Sequence, residues 1–233
     1  NLDKNWCWYE LSKHPNVTII HGDVLDYESL HKAIVDFQCE IIIHLAAILG
    51  VETVISDPVS TIETNLIGAI NILKISRDLN SLERFINFST SEVYGTYSYK
   101  MHEKESTMVG PSGEARWLYA LSKLATDHLA LSYYKKYSIP ATSIRPFNIY
   151  GPRRGEAALY RFIDWSLNNK DIIIHGDGDQ IRSWCYIDDF VDAIELCLLN
   201  DNSVGEIFNI GNPKCTTTIL SLAELVIRLA DSK

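Results

Sequence analysis

Short runs of β-branched residues alternate with helical patterns over residues 1–150, and this alternation constrains the fold more than any other feature. The runs that predict strands are 17–20, 40–45, 84–89 and 141–145. The segments that predict helices are one capped by Asp26 and running to about Phe37, one over 58–79, and one carrying Tyr119 to about Tyr137. Because strands and helices alternate, we predict an α/β fold with a doubly wound parallel sheet. The run 40–45 is apolar along its length, which predicts a strand buried on both faces.

The pattern changes after residue 150. It predicts a helix at 156–169, a strand at 171–174, a glycine-rich turn at 176–178, a helix at 188–200, a strand at 206–210 and a last helix at 218–231. These shorter, mixed elements predict a smaller α/β lobe. We therefore expect two domains, residues 1–150 and residues 151–233. Residues 96–114 are polar and aperiodic, which predicts a loop.

Composition narrows the class of partner. The net charge of −9 disfavours nucleic acid and anionic membrane surfaces. No apolar run approaches the ~18 residues of a membrane span, and the N-terminus lacks the apolar stretch of a signal peptide. The five cysteines are odd in number and show no C-x-x-C spacing, which predicts buried, reduced thiols in a cytoplasmic protein.

Tyr119 and Lys123 are four residues apart and project from one face of the predicted helix. An ammonium beside a phenol favours the phenolate, which can take a proton from a sugar hydroxyl. Lowering the pKa of a phenol from about 10 to near 7 requires roughly 4 kcal/mol of preferential stabilisation of the anion. The spacing alone is also typical of an aromatic core residue and a solvated lysine on an amphipathic helix.

Polar residues follow the predicted strand 84–89, where α/β sheets place their ligands. The Thr90 hydroxyl can bind a sugar oxygen, and the Glu92 carboxylate can act as a second acid or base at a neighbouring carbon. A loop threonine and a surface glutamate are the structural alternatives. Asn65 falls in the middle of a helix, where a buried amide needs hydrogen bonds. We interpret His44 as a core histidine and expect no metal site.

Several motifs occur together in a fixed order along the chain. They are His44-Leu-Ala-Ala47, Asn65, Ser89-Thr-Ser-Glu-Val-Tyr-Gly95, Tyr119 with Lys123, Arg145-Pro-Phe-Asn-Ile-Tyr-Gly-Pro152 and Gly176-Asp-Gly178 followed by Arg182. In this order they resemble the extended short-chain dehydrogenases/reductases that act as nucleotide-sugar epimerases, dehydratases and decarboxylases.

The resemblance implies a Rossmann-like fold, NAD as cofactor, a nucleotide-sugar substrate and a homodimer. It implies catalytic roles for Thr90, Glu92, Tyr119 and Lys123. It implies cofactor binding by Asp23, Val24, Leu45, Ala46, Ala47, Asn65 and Ser89, together with Tyr119 and Lys123. It implies substrate binding by Ser91, Arg116, Asn148 and Arg182, and the pair Arg153-Arg154 either contributes to that anion site or is solvated. The expected dimer face lies on the helix after Pro58 and the helix bearing Tyr119, with Leu131 and Tyr134 exposed.

Three reactions within the group stay open. Thr90-Ser-Glu92 resembles UDP-glucuronate decarboxylases and also GDP-mannose dehydratases, whereas many 4-epimerases have a small residue in place of the glutamate. The approach Val109-Gly-Pro111 to Arg116-Trp-Leu-Tyr119 is similar to bacterial UDP-glucuronate decarboxylases, which favours decarboxylation of a UDP-sugar. A 4-epimerase, a 4,6-dehydratase and a non-catalytic nucleotide-binding module are the alternatives.

The sequence contains no G-x-G-x-x-G turn of the kind that opens a dinucleotide-binding sheet. We therefore expect an internal fragment of a longer protein, without its N-terminal βαβ unit and incomplete at its C-terminal end. Such a fragment is expected to bind NAD weakly.

Overall fold

The computed structural model describes residues 9–96, 100–152 and 157–231. Within these residues the strands are β1 (Ile41–His44), β2 (Arg84–Phe88), β3 (Ala141–Pro146), β4 (Ile149–Tyr150), β5 (Ile181–Ser183), β6 (Cys185–Tyr186), β7 (Ile207–Ile210) and β8 (Thr216–Thr218). The helices are α1 (Tyr27–Asp36), α2 (Val51–Ser56), α3 (Pro58–Arg77), α4 (Leu118–Tyr137), α5 (Ala158–Leu167), α6 (Ile187–Leu199) and α7 (Ile219–Leu229). Single 3₁₀ turns cover Ser91–Tyr94, Ala115–Trp117 and Asp201–Ser203. The chain divides into two compact units, one of residues 1–145 and 197–209 and one of residues 146–196 and 210–233.

A parallel sheet with the strand order β1-β2-β3-β7 forms the centre of the first unit. β1 pairs in parallel with β2, and β2 pairs in parallel with β3. The Gly205 amide donates to the Ala141 carbonyl at 2.7 Å and the Ser143 amide donates to the Glu206 carbonyl at 3.0 Å. Because the bonded residue numbers rise together, β7 also runs parallel to β3. The predicted parallel α/β sheet is confirmed.

Side-chain caps fix the starts of the helices that cover this sheet. The Asp26 carboxylate accepts the Ser29 amide at 3.1 Å before α1, and the Asp57 carboxylate accepts the Ser60 amide at 3.1 Å before α3. Pro58 occupies the first turn of α3, where its missing N–H leaves no helical bond unmade. The core beneath contains the buried residues Ile34, Ile42, Ile72, Leu73, Ile75, Phe85, Ala130, Ile139 and Ala141.

Two predicted strands are wrong. Residues 17–20 and residues 171–174 have the composition of a strand but no regular structure. A strand requires a hydrogen-bonded neighbour as well as β-branched residues, and no described strand pairs with either segment. The expected burial of 40–45 on both faces is also wrong, because β1 lies at the edge of the described sheet. Ile42 and His44 are buried, whereas Ile41 is 47% exposed and Ile43 is 39% exposed.

The second unit contains two small sheets and one apolar cluster. β4 pairs in parallel with β6, and β5 pairs antiparallel with β8. The cluster joins α5 and α7 through Phe162, Trp184, Leu222, Ala223 and Val226. Gly176 and Gly178 have φ values of 76° and 78°, so the predicted glycine-rich turn is present and uses the left-handed backbone that glycine tolerates.

Two expectations about individual side chains need correction. Cys39 is half-buried and Cys185 and Cys197 are buried, but Cys215 is exposed, and Cys7 lies outside the described residues. Leu131 is half-buried. Tyr134 is not exposed, because its ring packs on the core cluster and fills the space above Gly205. Over the described residues, no helix is both long and apolar enough to cross a bilayer.

Candidate active site

The end of strand β2 leads directly into the predicted catalytic segment. Thr90 is 7% exposed, and its hydroxyl oxygen accepts the Glu92 amide at 3.2 Å, which caps the turn Ser91–Tyr94. The Glu92 side chain is exposed and Ser91 is half-buried. This turn contacts helix α4. The turn therefore places a buried hydroxyl and an exposed carboxylate two residues apart at the carboxyl end of the sheet, the edge at which parallel sheets bind ligands.

Lys123 brings a positive charge into the protein at the same edge. Tyr119 and Lys123 lie one turn apart on α4, and Tyr119 is half-buried. The Lys123 side chain is 3% exposed, and its ammonium donates to the Phe88 carbonyl at 2.7 Å. Burial lowers the pKa of Lys123 to about 8, and the charge of Asp127 opposes that fall. The helix thus presents a tyrosine and a buried ammonium beside the strand that leads to Thr90.

Asp127 connects α4 to the sheet and was not foreseen from the sequence. One of its oxygens accepts from the Arg145 guanidinium and the Ser89 hydroxyl, each at 2.9 Å. The other accepts from the Asn87 amide at 3.3 Å and from the Ser143 hydroxyl. Four donors from two strands therefore hold one carboxylate that is 1% exposed.

Arg145 extends this buried network. Its guanidinium donates to the Tyr94 hydroxyl at 2.7 Å and lies 5.0 Å from the centroid of the Tyr94 ring. The Tyr94 hydroxyl in turn donates to the Asn209 side chain at 2.9 Å. The backbone amide of Asn209 donates to the Glu103 carboxylate at 2.9 Å, which ties the loop after residue 100 to strand β7.

Asn65 clamps the loop that follows β1 to the helix that bears Tyr119. Its side-chain oxygen accepts the Ile48 amide at 2.7 Å, and its nitrogen donates to the Ile48 carbonyl at 3.0 Å. The same nitrogen donates to the Ser122 hydroxyl at 3.1 Å, and Ser122 donates to the Tyr119 carbonyl at 2.8 Å. The expectation of a buried, hydrogen-bonded amide in mid-helix is confirmed, since Asn65 is 2% exposed.

His44 ends strand β1 near the ammonium of Lys123. Its side chain is 3% exposed. Burial and, to a smaller extent, the charge of Lys123 together lower the pKa of His44 to about 4. The imidazole is therefore neutral at pH 7. Among the described residues no group of three or more His, Cys, Asp or Glu side chains could hold a metal ion.

The residues expected to meet the cofactor lie on the segments after the predicted first strand and after β1. Asp23 is exposed, and its carboxylate accepts the Leu25 amide at 2.9 Å. Val24 is half-buried and packs on Gly68, where a Cβ would lie only 2.7 Å from the valine side chain. The loop residues after β1 are open to solvent, with Leu45 and Ala46 exposed and Ala47 half-buried.

These features fit the nicotinamide end of NAD. The Lys123 ammonium can reach a ribose hydroxyl, the small side chains of Ala46 and Ala47 leave the backbone approachable, and the Asp23 carboxylate can bind at the adenine end. Within the described residues, no carboxylate lies within 4.0 Å of the Lys123 ammonium. A ligand hydroxyl can therefore approach this cation without displacing an ion pair.

Arg116 lies on the turn before α4. It is exposed, and its guanidinium lies 4.6 Å from the centroid of the Trp117 ring. Trp117 donates from its indole nitrogen to the Glu114 carboxylate at 3.0 Å. The same ring occupies the space above Gly110, where a Cβ would lie 2.1 Å from the indole nitrogen. The arginine is thus held on a stacked aromatic platform.

Asn148 and Arg182 belong to the second unit, and the structure describes them within that unit alone. Asn148 has a φ of 39°, and its side chain donates to the Ser183 carbonyl at 3.0 Å. Arg182 lies on β5, is exposed and donates to the carbonyl of Ile181 at 2.8 Å. Arg153 and Arg154 lie outside the described residues.

Comparison with known proteins gives one consistent result. The sequence model of the NAD dependent epimerase/dehydratase family matches residues 3–211. A UDP-N-acetyl-alpha-D-glucosaminuronate decarboxylase of Bacillus cytotoxicus is 37% identical over 201 residues, which are 84% of this chain and 61% of that protein. A dTDP-D-glucose 4,6-dehydratase of Dictyostelium discoideum is 32% identical, over 85% of this chain and 47% of that protein. The chain thus spans about half to three fifths of the length of these two relatives.

A solved structure agrees with the sequence relatives. The UDP-glucuronic acid 4-epimerase of Bacillus cereus, in complex with UDP-glucuronic acid and NAD, superposes with a TM-score of 0.86 at 31% identity. The match covers 97% of this chain and 69% of that one. The expected resemblance is confirmed at the level of the family. The chain belongs to the NAD-dependent epimerase/dehydratase family, whose members named here act on nucleotide sugars.

Proposed function

We propose that the protein oxidises the C4 hydroxyl of a nucleotide sugar and that the sugar is a UDP-hexuronate, which the enzyme decarboxylates. The observation that carries this proposal is the buried ammonium of Lys123, one helical turn from Tyr119 and bonded to the carbonyl two residues before Thr90. A buried charge is costly unless it has a task or a partner. Stabilising the phenolate of a neighbouring tyrosine is such a task.

The oxidation step follows from these groups. The phenolate of Tyr119 takes the proton of the C4 hydroxyl, while the Thr90 hydroxyl binds the same oxygen and orients it. The ammonium of Lys123 is proposed to favour the phenolate form of Tyr119 and to bind the cofactor ribose. When bound, NAD accepts the hydride that leaves C4. Ala46 and Ala47 leave room for the cofactor, and Asn65 holds their loop against α4.

Decarboxylation then needs little from the protein. A 4-ketone with a carboxylate on C5 is a β-keto acid, so the C5–carboxylate bond breaks and its electrons move into the ketone. Glu92, which is exposed at the same edge, is proposed to return a proton to C5. Arg116 is the cation proposed to bind the substrate carboxylate, with its guanidinium pre-positioned on Trp117. Asn148 and Arg182 are proposed to bind the diphosphate.

Two observations support the decarboxylase over the other reactions. The sequence Thr90-Ser-Glu92 places a carboxylate beside the oxidation site. A relative of 37% identity is named as a decarboxylase of a UDP-linked uronate. The likeness to a UDP-glucuronic acid 4-epimerase favours a second candidate, in which the keto sugar turns over and is reduced on its other face. Both candidates share the UDP-hexuronate substrate and the oxidation at C4.

The protein is incubated with NAD and with UDP-glucuronate that is labelled with ¹³C at C6. NMR of the products then distinguishes the two candidate reactions. The decarboxylase releases labelled bicarbonate and leaves a UDP-4-keto-pentose, which becomes a UDP-pentose when the hydride taken from C4 is returned to the 4-ketone. An epimerase keeps the label in UDP-galacturonate, and that product alone would exclude the decarboxylase. UDP-N-acetylglucosaminuronate serves as a second uronate, and UDP-glucose tests the 4,6-dehydratase through a 4-keto-6-deoxy product. Absence of any product with these sugars and added NAD would favour a non-catalytic nucleotide-binding module.

A further inference from the structure

The Asp127 carboxylate is the centre of the buried polar network in the first unit. It lies one turn after Lys123 on α4 and is 1% exposed. Both of its oxygens accept hydrogen bonds, from Arg145 and Ser89 on one side and from Asn87 and Ser143 on the other. Four hydrogen-bond donors therefore surround a carboxylate that is shielded from solvent.

The network sets the position of the atom that binds the lysine. The Lys123 ammonium donates to the Phe88 carbonyl, and the next residue, Ser89, donates to Asp127 at 2.9 Å. The same serine hydroxyl lies 3.4 Å from the backbone carbonyl of Lys123. Asp127 therefore holds both the helix that carries the ammonium and the strand end that receives it.

The network also decides the electrostatic balance around the lysine. The titratable or charged groups that surround Lys123 are His44 from β1, Tyr119 and Asp127 from its own helix, and Arg145 from β3 beyond Asp127. His44 is neutral at pH 7, and Arg145 is positive. Asp127 is the acidic side chain in this group: it forms an ion pair with Arg145, and its charge opposes the fall in the pKa of Lys123.

We propose that Asp127 is a positioning residue for the oxidation step, which keeps the buried Lys123 charged and holds it against the end of strand β2. The inference rests on the proposed role of Lys123 as the partner of Tyr119. A carboxylate with only a structural task would form the same hydrogen bonds and the ion pair with Arg145 without affecting the titration of Lys123. A substitution that removes the charge of Asp127 and keeps its shape distinguishes its electrostatic role from its structural role.

The test is a titration of Lys123 by NMR in protein with ¹³Cε-labelled lysine, with Lys123→Arg assigning the signal. Asp127→Asn keeps the shape and removes the charge, and it should lower the pKa of Lys123 by about one pH unit or more. Ser143→Ala is the matched control, because it removes a neutral donor to Asp127 and leaves the charge. It should lower the melting temperature without moving the titration. A folded Asp127→Asn protein with an unmoved Lys123 titration would overturn the proposal.

Arg145→Gln tests the same coupling from the opposite side and does not depend on the folding of Asp127→Asn. Without the positive charge of Arg145, the field of the Asp127 carboxylate at Lys123 is no longer partly cancelled, so the pKa of Lys123 should rise. A fall or no change in the folded variant contradicts the inference. Because the titration needs no turnover, its outcome is independent of the reaction. An unmoved titration refutes the role of Asp127, whereas absence of products from every nucleotide sugar refutes the proposed function.

Discussion

The Lys123 ammonium is bonded to the Phe88 carbonyl oxygen at 2.7 Å, at a depth where 3% of the lysine is exposed. A carbonyl oxygen carries only a partial charge, so it compensates a full positive charge incompletely. The result is a lysine that loses its proton more easily than a solvated one, because burial lowers its pKa to about 8. The free-energy cost of burying this ammonium therefore links the stability of the fold to the chemistry of the site.

Lys123→Met should stabilise the protein at neutral pH while abolishing turnover. The pKa of Lys123 falls from 10.5 in the unfolded chain to about 8 in the folded one, so the charge costs about 3 kcal/mol below pH 8. Loss of the hydrogen bond to Phe88 offsets about 1 kcal/mol of that gain. We expect the free energy of unfolding to rise by about 2 kcal/mol at pH 7 in urea denaturation.

The stabilisation expected from Lys123→Met depends on pH. The folded state binds fewer protons than the unfolded state between pH 8 and pH 10.5, so the wild-type protein gains stability over that range and the advantage of Lys123→Met fades. Lys135→Met is the control, an exposed lysine on the same helix. A constant difference between Lys123→Met and wild type across pH 7 to 10.5 would contradict the buried charge.

His44 should make the protein sensitive to acid. Its pKa is 6.5 in the unfolded chain and about 4 in the folded one, so its contribution to stability is complete above pH 6.5 and is lost as pH falls to 4. The loss amounts to about 3 kcal/mol. In the wild-type protein, His44 should make the free energy of unfolding lower at pH 4.5 than at pH 7. In His44→Leu this part of the difference should be absent, as measured by chemical denaturation at the two pH values. His128→Gln, at an exposed histidine, should keep the wild-type difference.

Asn65→Ala should release the loop after β1. The substitution leaves the amide and carbonyl of Ile48 without their side-chain partner, which lowers the free energy of unfolding by about 2 kcal/mol. Hydrogen exchange of the Ile48 amide should then accelerate, and the affinity for NAD should fall. Asn71→Ala is a matched control on the same helix, because that amide is also buried but bonds the Val24 carbonyl. Equal acceleration at Ile48 in both variants would refute a specific clamp.

Tyr119→Phe should lower kcat by about 10²- to 10⁴-fold, as expected for loss of a general base. The fold should be unchanged, since the ring stays and only the hydroxyl is lost. Release of labelled bicarbonate from UDP-glucuronate measures the rate. Tyr137→Phe, at the exposed end of the same helix, should retain the wild-type rate. An active Tyr119→Phe enzyme would remove Tyr119 from the mechanism.

The framework of the first unit could be predicted because its elements are long and regular. The predicted helix 58–79 is observed as α3 and the helix bearing Tyr119 as α4. Strands 17–20 and 171–174 were predicted in error, because composition reports what a strand tolerates and not whether a partner strand is adjacent. β4, β5, β6 and β8 were missed since two or three residues are too few to show a period.

A site residue could be recognised from local sequence only where its type is unusual for the element in which it lies. Asn65 was identifiable because an amide in the middle of an apolar helix demands hydrogen bonds. Asp127 was not, since an aspartate on a helix also fits a solvated face. Its partner Arg145 is 18 residues away, and only the packing of α4 on the sheet brings the two together. The roles of Thr90, Glu92 and Tyr119 remain predictions for the experiments above.

The hub at Asp127 has a consequence for how such an enzyme can change during evolution. Helix α4 cannot shift along the sheet without breaking the hydrogen bonds that Asp127 makes to β2 and β3. The buried network therefore fixes the spacing between Tyr119 and Thr90. The loop over residues 100–114 makes none of the hydrogen bonds to Asp127, and Glu105, Ser106 and Met108 within it are exposed. Substitutions there leave the hydrogen bonds of Asp127 in place, so the position of α4 on the sheet can persist while the sequence of the loop changes.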